Sequence, residues 1–533
     1  MTAHELSLHQ KVILTPTQRP TLCPLKLGKC KKRAYNTQMN DFSLWFKLRV
    51  QTFRLSLGWG LFAYILTGCT LPQTPPSRVK SLEESLSHHV IPDDAHQASL
   101  IKEWPGLHWW QQWQDHQLDQ LMDQALQQAP SLDEAKARVQ AAAALAEIQH
   151  SALKPSVSAN VSPTYERFTA DEFIPPPFGA HTYWDNQTLL ESRFELDLWG
   201  KHHASLSAAL DQLHATQAES AQVEQVLISD LIDTYLQLAL EEALSERTET
   251  ILHGQNRLLA LAQMRRKAGL GTDLDVNKVM GLRTQVQTQL ARQQTHRQLL
   301  ITQLALLCGR PPSADFHLQP PTVSLTRSLH PPTQIPLRWL ARRPDIIAAH
   351  WRVEADTQTI KVAKARFYPD INLNAFAGYQ ALGFAQLFSN NALMYGITPA
   401  LSLPIFEGGH LQGALNIAAA QRDADIANYN QQLLQAMQEV SEQLLTLHGL
   451  DDEYQAAATA YALAQQDEVL TQKGYHSGLM DEAEQQLSSI ARIQREQELA
   501  RVNVARLRAE VHLIRALGGA RPSEDSSPTV QHE

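Results

Sequence analysis

A mainly α-helical chain with a small β part, built twice from one unit, is what the sequence predicts, and three observations predict it. Landmarks recur in one order at a spacing of roughly 210 residues, the mark of an internal duplication. No proline lies between Pro177 and Pro311 or between Pro404 and Pro522, so each stretch can hold helices far longer than those of a compact domain. Four segments alternate apolar and polar residues with the period of a strand. The 533-residue length alone would suggest several ordinary domains; the proline gaps argue for two long helical regions instead.

Charge divides the chain unevenly. Residues 1–68 hold ten basic and two acidic residues, a net +8, whereas the remaining 465 carry −17 of the overall −9. An acidic body excludes nucleic acid as its default partner, since phosphate binding draws on a basic surface. Residues 1–68 read as a signal region. Lys47, Arg49 and Arg54 precede the apolar run Leu55–Leu66, which leads into Leu66-Thr67-Gly68-Cys69, the charge, core and small-residue cleavage site of an export signal. This stretch resembles a bacterial lipoprotein signal, which implies lipidation of Cys69 at the mature terminus. The competing reading, a membrane anchor, needs about 20 apolar residues, more than this run supplies. Thr70 in the second mature position is what the resemblance associates with the outer membrane. Residues 1–38 exceed what a signal needs, so Met39 is the expected true start. A Pro-containing polar tether, 69–108, follows.

The first repeat is placed at 109–315. It runs through Lys154-Pro155, a strand, a loop, a strand ending Leu198-Trp199-Gly200, a long helix, the turn Ala268-Gly269-Leu270, a second helix and Leu307-Cys308-Gly309. After a linker at 316–340 the second repeat, 341–520, shows Tyr368-Pro369, two strands ending Phe406-Glu407-Gly408-Gly409, a long helix, Ser477-Gly478-Leu479, another helix and Ala516-Leu517-Gly518-Gly519. Residues 521–533 read as a disordered tail. Gly269 to Gly478 and Gly309 to Gly518 are both 209 positions.

Val157, Ala159, Val161 and Tyr165 share one face of the first strand, and Leu190, Phe194, Leu196 and Leu198 one face of the second. Ile371, Leu373, Ala375 and Ala377 do so on the third, and Ile397, Leu401, Leu403 and Ile405 on the fourth. Strands of ~9 to 11 residues suit a tilted membrane strand. Four cannot close by themselves, and open edges are not tolerated in lipid, so closure by several chains is expected. Between Lys201 and Lys267, Val223, Val226, Leu227, Leu231, Tyr235 and Leu238 recur at helical spacing. Such a helix reaches on the order of 100 Å at about 1.5 Å per residue.

Chemistry-bearing motifs are sparse. No nucleophile elbow or phosphate loop occurs, so no enzyme and no cofactor is expected. His88-His89 and His202-His203 are adjacent pairs that a helix points apart, which does not make a metal site. Cys308, in Leu304-Ala-Leu-Leu-Cys308-Gly309, reads as a buried small residue.

With these elements in hand, the chain resembles the TolC-like outer-membrane factors of efflux pumps, in their NodT-like lipoprotein branch. The matching stretches are Trp109-Trp110-Gln-Gln-Trp113-Gln-Asp115, Phe194-Glu-Leu-Asp-Leu-Trp-Gly-Lys201, Arg342-Arg343-Pro344-Asp345-Ile346, Ala365-Arg-Phe-Tyr-Pro369 and Leu403-Pro-Ile-Phe-Glu-Gly-Gly409. The resemblance implies a homotrimer whose four strands per chain form a 12-stranded barrel continued by a periplasmic α-barrel. It implies an outer-membrane, lipid-anchored duct for small toxic compounds, working with a periplasmic adaptor and an inner-membrane pump of the RND or MFS type. It also implies adaptor contacts at Gly269, Leu270, Gly271, Thr272, Gly478 and Leu479, and a periplasmic gate at Asp275, Tyr475 and Glu484. Met480 and Leu487 depart from the family's gate pattern. Helix capping is an equal reading of Asp273 and Asp275. The alternative function is a periplasmic adaptor lipoprotein, which would carry one helical hairpin beside a lipoyl-like β domain.

Overall fold

The computed structural model describes residues 74–77, 79–80, 106, 108–169, 171, 177, 179–312, 316–324 and 337–519. Cys69, the signal region, most of the tether, residues 325–336 of the linker and the 521–533 tail lie outside them. After a short 3-10 turn, Trp109–Trp113, come α1 (His116–Gln128), α2 (Pro130–Ser151), β1 (Ser156–Arg167), β2 (Thr182–Leu196), α3 (Lys201–Lys267) and α4 (Asp273–Leu307). The second half holds α5 (Pro344–Ala365), β3 (Asp370–Leu382), β4 (Leu393–Ser402), α6 (His410–His476) and α7 (Glu482–Ala516).

The duplication is visible residue for residue. α3 and α6 are each 67 residues long, α4 and α7 each 35, and α2 and α5 each 22. Both α2 and α5 open with proline at the first helical turn, where its missing N–H costs nothing.

α3 and α6 run the full length of the helical region, and the shorter helices stack end to end beside them. The end of α4 abuts the start of α2: Gly309 has φ +70°, and a Cβ there would lie 2.2 Å from the Gln128 carbonyl oxygen. The end of α7 abuts the start of α5, where the Arg343 guanidinium donates to the Ala516 carbonyl at 2.8 Å. Side by side the order is α4, α3, α7, α6 in one part and α2, α3, α5, α6 in the other. α2 and α4 therefore form one edge of the protomer and α6 the other.

The main core lies where these columns meet. Trp109, Trp110, Trp113, Tyr235, Trp339 and Leu513 are buried together. Asp115 caps α1, accepting from Leu118 N–H at 3.2 Å, and also accepts from the Tyr235 hydroxyl at 2.9 Å and Thr322 N–H at 2.8 Å. Arg343 is held by Asp345 at 2.8 Å and Glu439 at 2.7 Å. The buried guanidinium is tolerated because two carboxylates and the Ala516 carbonyl take up its donors. The Trp-rich and Arg-Arg-Pro-Asp stretches thus act as structural anchors. Cys308 is fully buried, and burial pushes its thiol up to about 11.

The four strands form one antiparallel sheet in the order β1-β2-β3-β4. Two strand ends differ from the sequence expectation. β2 stops at Leu196 and β4 at Ser402, so Leu198, Leu403 and Ile405 fall outside the sheet. Pro404 has no N–H to give a ladder, and Asp197 turns instead to the start of α3, accepting from His203 N–H at 2.9 Å.

Candidate functional site

Register sorts the sheet into two faces. Ala159, Leu190, Ala377 and Tyr395 lie side by side, as do Phe194, Leu373 and Pro399, so one face is mainly apolar, with Asn186, Thr188 and Ser192 of β2 as its polar members. Its side chains are bare: Val161, Ile397 and Tyr395 are 70%, 72% and 78% exposed. Aromatic rings mark both ends of this band. Tyr165, Trp184 and Phe384 form a chain with centroids 5.1 and 5.5 Å apart at the loop end. Trp199 stacks on Tyr368 at 4.8 Å at the helix end and donates to the Pro369 carbonyl at 2.9 Å. An apolar band between two aromatic girdles is the outer wall of a membrane barrel. The opposite face carries Ser158, Asn160, Gln187, Glu191, Asn372, Asn374 and Thr398 alongside Leu189 and Phe376, a mostly polar lining suited to a wet interior. His202 and His203 do turn apart, to Glu195 at 3.1 Å and Asp197 at 2.6 Å.

At the far end of the helices the two turns are built alike. Gly269 and Gly478, φ +74° and +76°, let the chain reverse. Leu270 N–H donates to the Arg265 carbonyl and Leu479 N–H to that of Gly474, at 2.9 and 2.8 Å, closing each helix with a Schellman-type pair. Leu270 and Leu479 then project into solvent, 81% and 84% exposed. Gly271 lies against the backbone of Arg266.

Thr272 and Asp481 cap the returning helices, and Asp275 and Glu484 are their capping-box partners. Asp275 accepts from Thr272 N–H at 3.0 Å and its hydroxyl at 2.7 Å, and these bonds hold its carboxyl below the usual range. Glu484 accepts from Asp481 N–H at 3.1 Å. The expected gate residues Asp275 and Glu484 are therefore equivalent positions of the two repeats, both engaged in capping within the chain. Tyr475 is partly exposed and touches His476, with ring centroids 5.8 Å apart. Asp275 stands on α4 and Tyr475 near the end of α6, with α3 and α7 between them. They belong to opposite edges, so only a second copy could bring them together.

Arg257 and Arg265 went unnoticed in the sequence. Arg257 makes a two-pronged pair with Glu482, one bond being 2.9 Å, and Arg265 donates to Asp481 at 2.6 Å. Both join α3 to the first turn of α7, above an apolar cluster of Ile251, Leu258, Ile490 and Ile493. Partners more than 200 positions apart leave no local signal; only the duplication, by setting α3 beside α7, could have suggested them.

A membrane-barrel wall joined to long helices that end in paired, exposed turns defines a channel-forming protein of the outer membrane. The family described as outer membrane efflux protein matches residues 121–310 and 336–519, and the chain belongs to it. A fusaric acid resistance protein, FusA, of Burkholderia cepacia is 34% identical over 322 residues, 60% of either chain. The multidrug resistance outer membrane protein MdtQ of Escherichia coli O6:H1 is 30% identical over 440 residues, 80% of this chain and 91% of that one. Among solved structures, the outer membrane protein VceC of Vibrio cholerae aligns with a TM-score of 0.70 and 30% identity, over 78% of this chain and all of that one. The protein is thus an efflux channel component and not an enzyme, and the adaptor alternative falls.

Proposed function

We propose that three copies close into one duct that carries small toxic compounds outward, handed over by a periplasmic adaptor and an inner-membrane pump. The observation that carries this reading is that every open edge is sorted: β1, α2 and α4 lie on one side of the protomer and β4 and α6 on the other. Head-to-tail contact between such unlike edges generates a ring. Four strands per copy make 12 from three copies, within the even-numbered range of membrane barrels. Apolar residues left bare on the edges fit the same closure: Leu282, Leu299 and Leu306 on α4, and Leu434, Leu445 and Leu463 on α6.

In such a ring α4 of one copy faces α6 of the next, and Asp275 can accept a hydrogen bond from Tyr475 across the seam. Glu484, once per copy, would ring the mouth and favour cations. The exposed Leu270 and Leu479, with Gly269, Gly271, Thr272 and Gly478 behind them, offer the adaptor its contact. Cys69, as the mature terminus left once a signal translated from Met39 is removed, would carry the lipid that ties the tether to the outer membrane. The resistance relatives support toxic small molecules as cargo.

Single-channel recording in a planar bilayer tests this. Conducting events are expected, with larger conductance for Tyr475→Phe combined with Asp275→Ala and weaker cation selectivity for Glu484→Ala. Unchanged conductance with lower stability would leave Asp275 a capping residue only, and no conductance at all would reject the duct.

A further inference from the structure

A small apolar recess interrupts the polar face of the sheet. The positions of β3 on that face read Asn372, Asn374, Phe376, Gly378 and Gln380, and the alternation calls for a polar side chain where Phe376 stands. Gly378 lies between Leu189 of β2 and Met394 of β4, and Phe376 between Glu191 of β2 and Gly396 of β4. Two of the positions around the ring therefore carry no side chain. The tip of the ring leans over Gly396, where a Cβ would come within 2.8 Å of it, which leaves the opposite side of the ring to the lumen. Glu191 is occupied: its Oε2 accepts from Asn160 at 3.0 Å and from Arg193 at 3.2 Å. Arg193 commits one nitrogen to that bond, and its side chain is 71% exposed, so the rest of the guanidinium projects into the lumen. Arg193 pairs with Asn374, which puts it diagonal to Phe376, about 7 to 8 Å away along the wall.

We propose that Phe376 and Arg193 form a lumenal station for small aromatic acids, the cargo's ring lying against Phe376 in the space beside Gly378 and its carboxylate taking the open edge of the Arg193 guanidinium. The inference rests on the duct reading above and narrows the cargo of that duct. Aromatic rings pair in offset or edge-on contact, and a guanidinium offers paired N–H groups that match a carboxylate. Each half is weak alone: an exposed ion pair contributes little in water, and one bare ring holds any apolar surface. Together they favour a compound that carries both groups. An aromatic cation would meet the positive charge of Arg193, and Glu191, already bound twice, does not offset it. An aliphatic acid would lack the ring contact. The register repeats the station at one height in each copy, so three would line the duct. Weak holding suits a conducting path, where what enters must also leave.

Photolabelling with 4-benzoylbenzoate, a benzophenone that carries a carboxylate, tests this on the full-length protein in proteoliposomes whose conductance is recorded first. Mass spectrometry then locates the label. The parent should be labelled at Leu189 and Met394, the side chains on either side of Gly378. Excess benzoate should lower that label several-fold, and excess benzylamine should leave it in place. Arg193→Gln and Phe376→Ala should each lower it several-fold, with Arg193→Lys, which keeps the charge and loses the fork, between Arg193→Gln and the parent. Phe376→Leu, which keeps apolar volume without the ring, takes the place of Phe376→Ala if the latter does not conduct. Unchanged label in the conducting variants would overturn the station. Label that falls only with the Phe376 variants and yields equally to benzylamine would overturn the preference for acids. Label that falls only with the Arg193 variants would overturn the aromatic contact. A parent protein that gives no conductance would instead reject the duct reading, and the station with it.

Discussion

Asp233 shows how single residues tie the two repeats together. It stands on α3 and receives Arg508 at 2.6 Å and His512 at 3.3 Å from α7. Burial alone would raise its pKa, but the hydrogen bonds from His512 and Arg508 hold it down to about 2. A depressed carboxyl contributes stability above its unfolded pKa near 4, and that contribution is lost as pH falls through 2. It is worth about 2 kcal/mol. Asp233→Asn should therefore lower thermal stability at pH 7 and flatten the loss seen in the parent between pH 5 and 2. Asp356 on α5 has the opposite sign: burial and the neighbouring Asp425 of α6 push it up to about 7. The folded protein then holds a proton that the unfolded chain releases between about pH 4 and 7, so stability declines as pH rises through that window. Asp356→Asn should gain stability at pH 8 and gain none at pH 4, as read from melting curves. Capping after Gly271 was legible in the sequence at Asp273 and Asp275, a purely local pattern, whereas the equivalent box Asp481-x-x-Glu484 was passed over because Glu484 was read as a gate acid. Asp233, Arg257 and Arg265 were not legible, because their partners are brought up by the fold.

Secondary-structure elements were the most legible level. Helix α3 was expected from Lys201 to about Lys267 and has those bounds, because glycine at its start and Ala268-Gly269 at its end are strong punctuation. The four strands were expected from their alternation, whereas two of their ends were misplaced. Alternation continues through Leu198 and Ile405, and only hydrogen bonding reveals that the ladder has stopped. The stacking of α4 on α2 and of α7 on α5 had no sequence signature. It places unusual demands on Gly309, whose positive φ and proximity to the Gln128 carbonyl leave no room for a side chain. Gly309→Ala should cost roughly 1 to 3 kcal/mol and lower the melting temperature. Gly281→Ala, where a Cβ meets nothing within 4 Å, should be neutral or slightly stabilising, since alanine is the better helix former.

For the molecule as a whole, the sequence indicated that the chain could not be complete alone, and the fold explains why. An apolar sheet face bounded by aromatic girdles belongs in lipid, and lipid does not accept the bare edges of β1 and β4. Each edge strand continues into an edge helix on its own side, so a single closure satisfies sheet and helices together. Which edges would face each other could not be read from the sequence, because that depends on the order α4, α3, α7, α6 rather than on any motif. The duct reading therefore depends most on the number of copies in the conducting species. Native mass spectrometry of the detergent-released protein, on the fraction that gives channels in a planar bilayer, measures that number directly. The expected result is a mass three times that of the mature chain. A conducting monomer or dimer would contradict the closure on which this account stands.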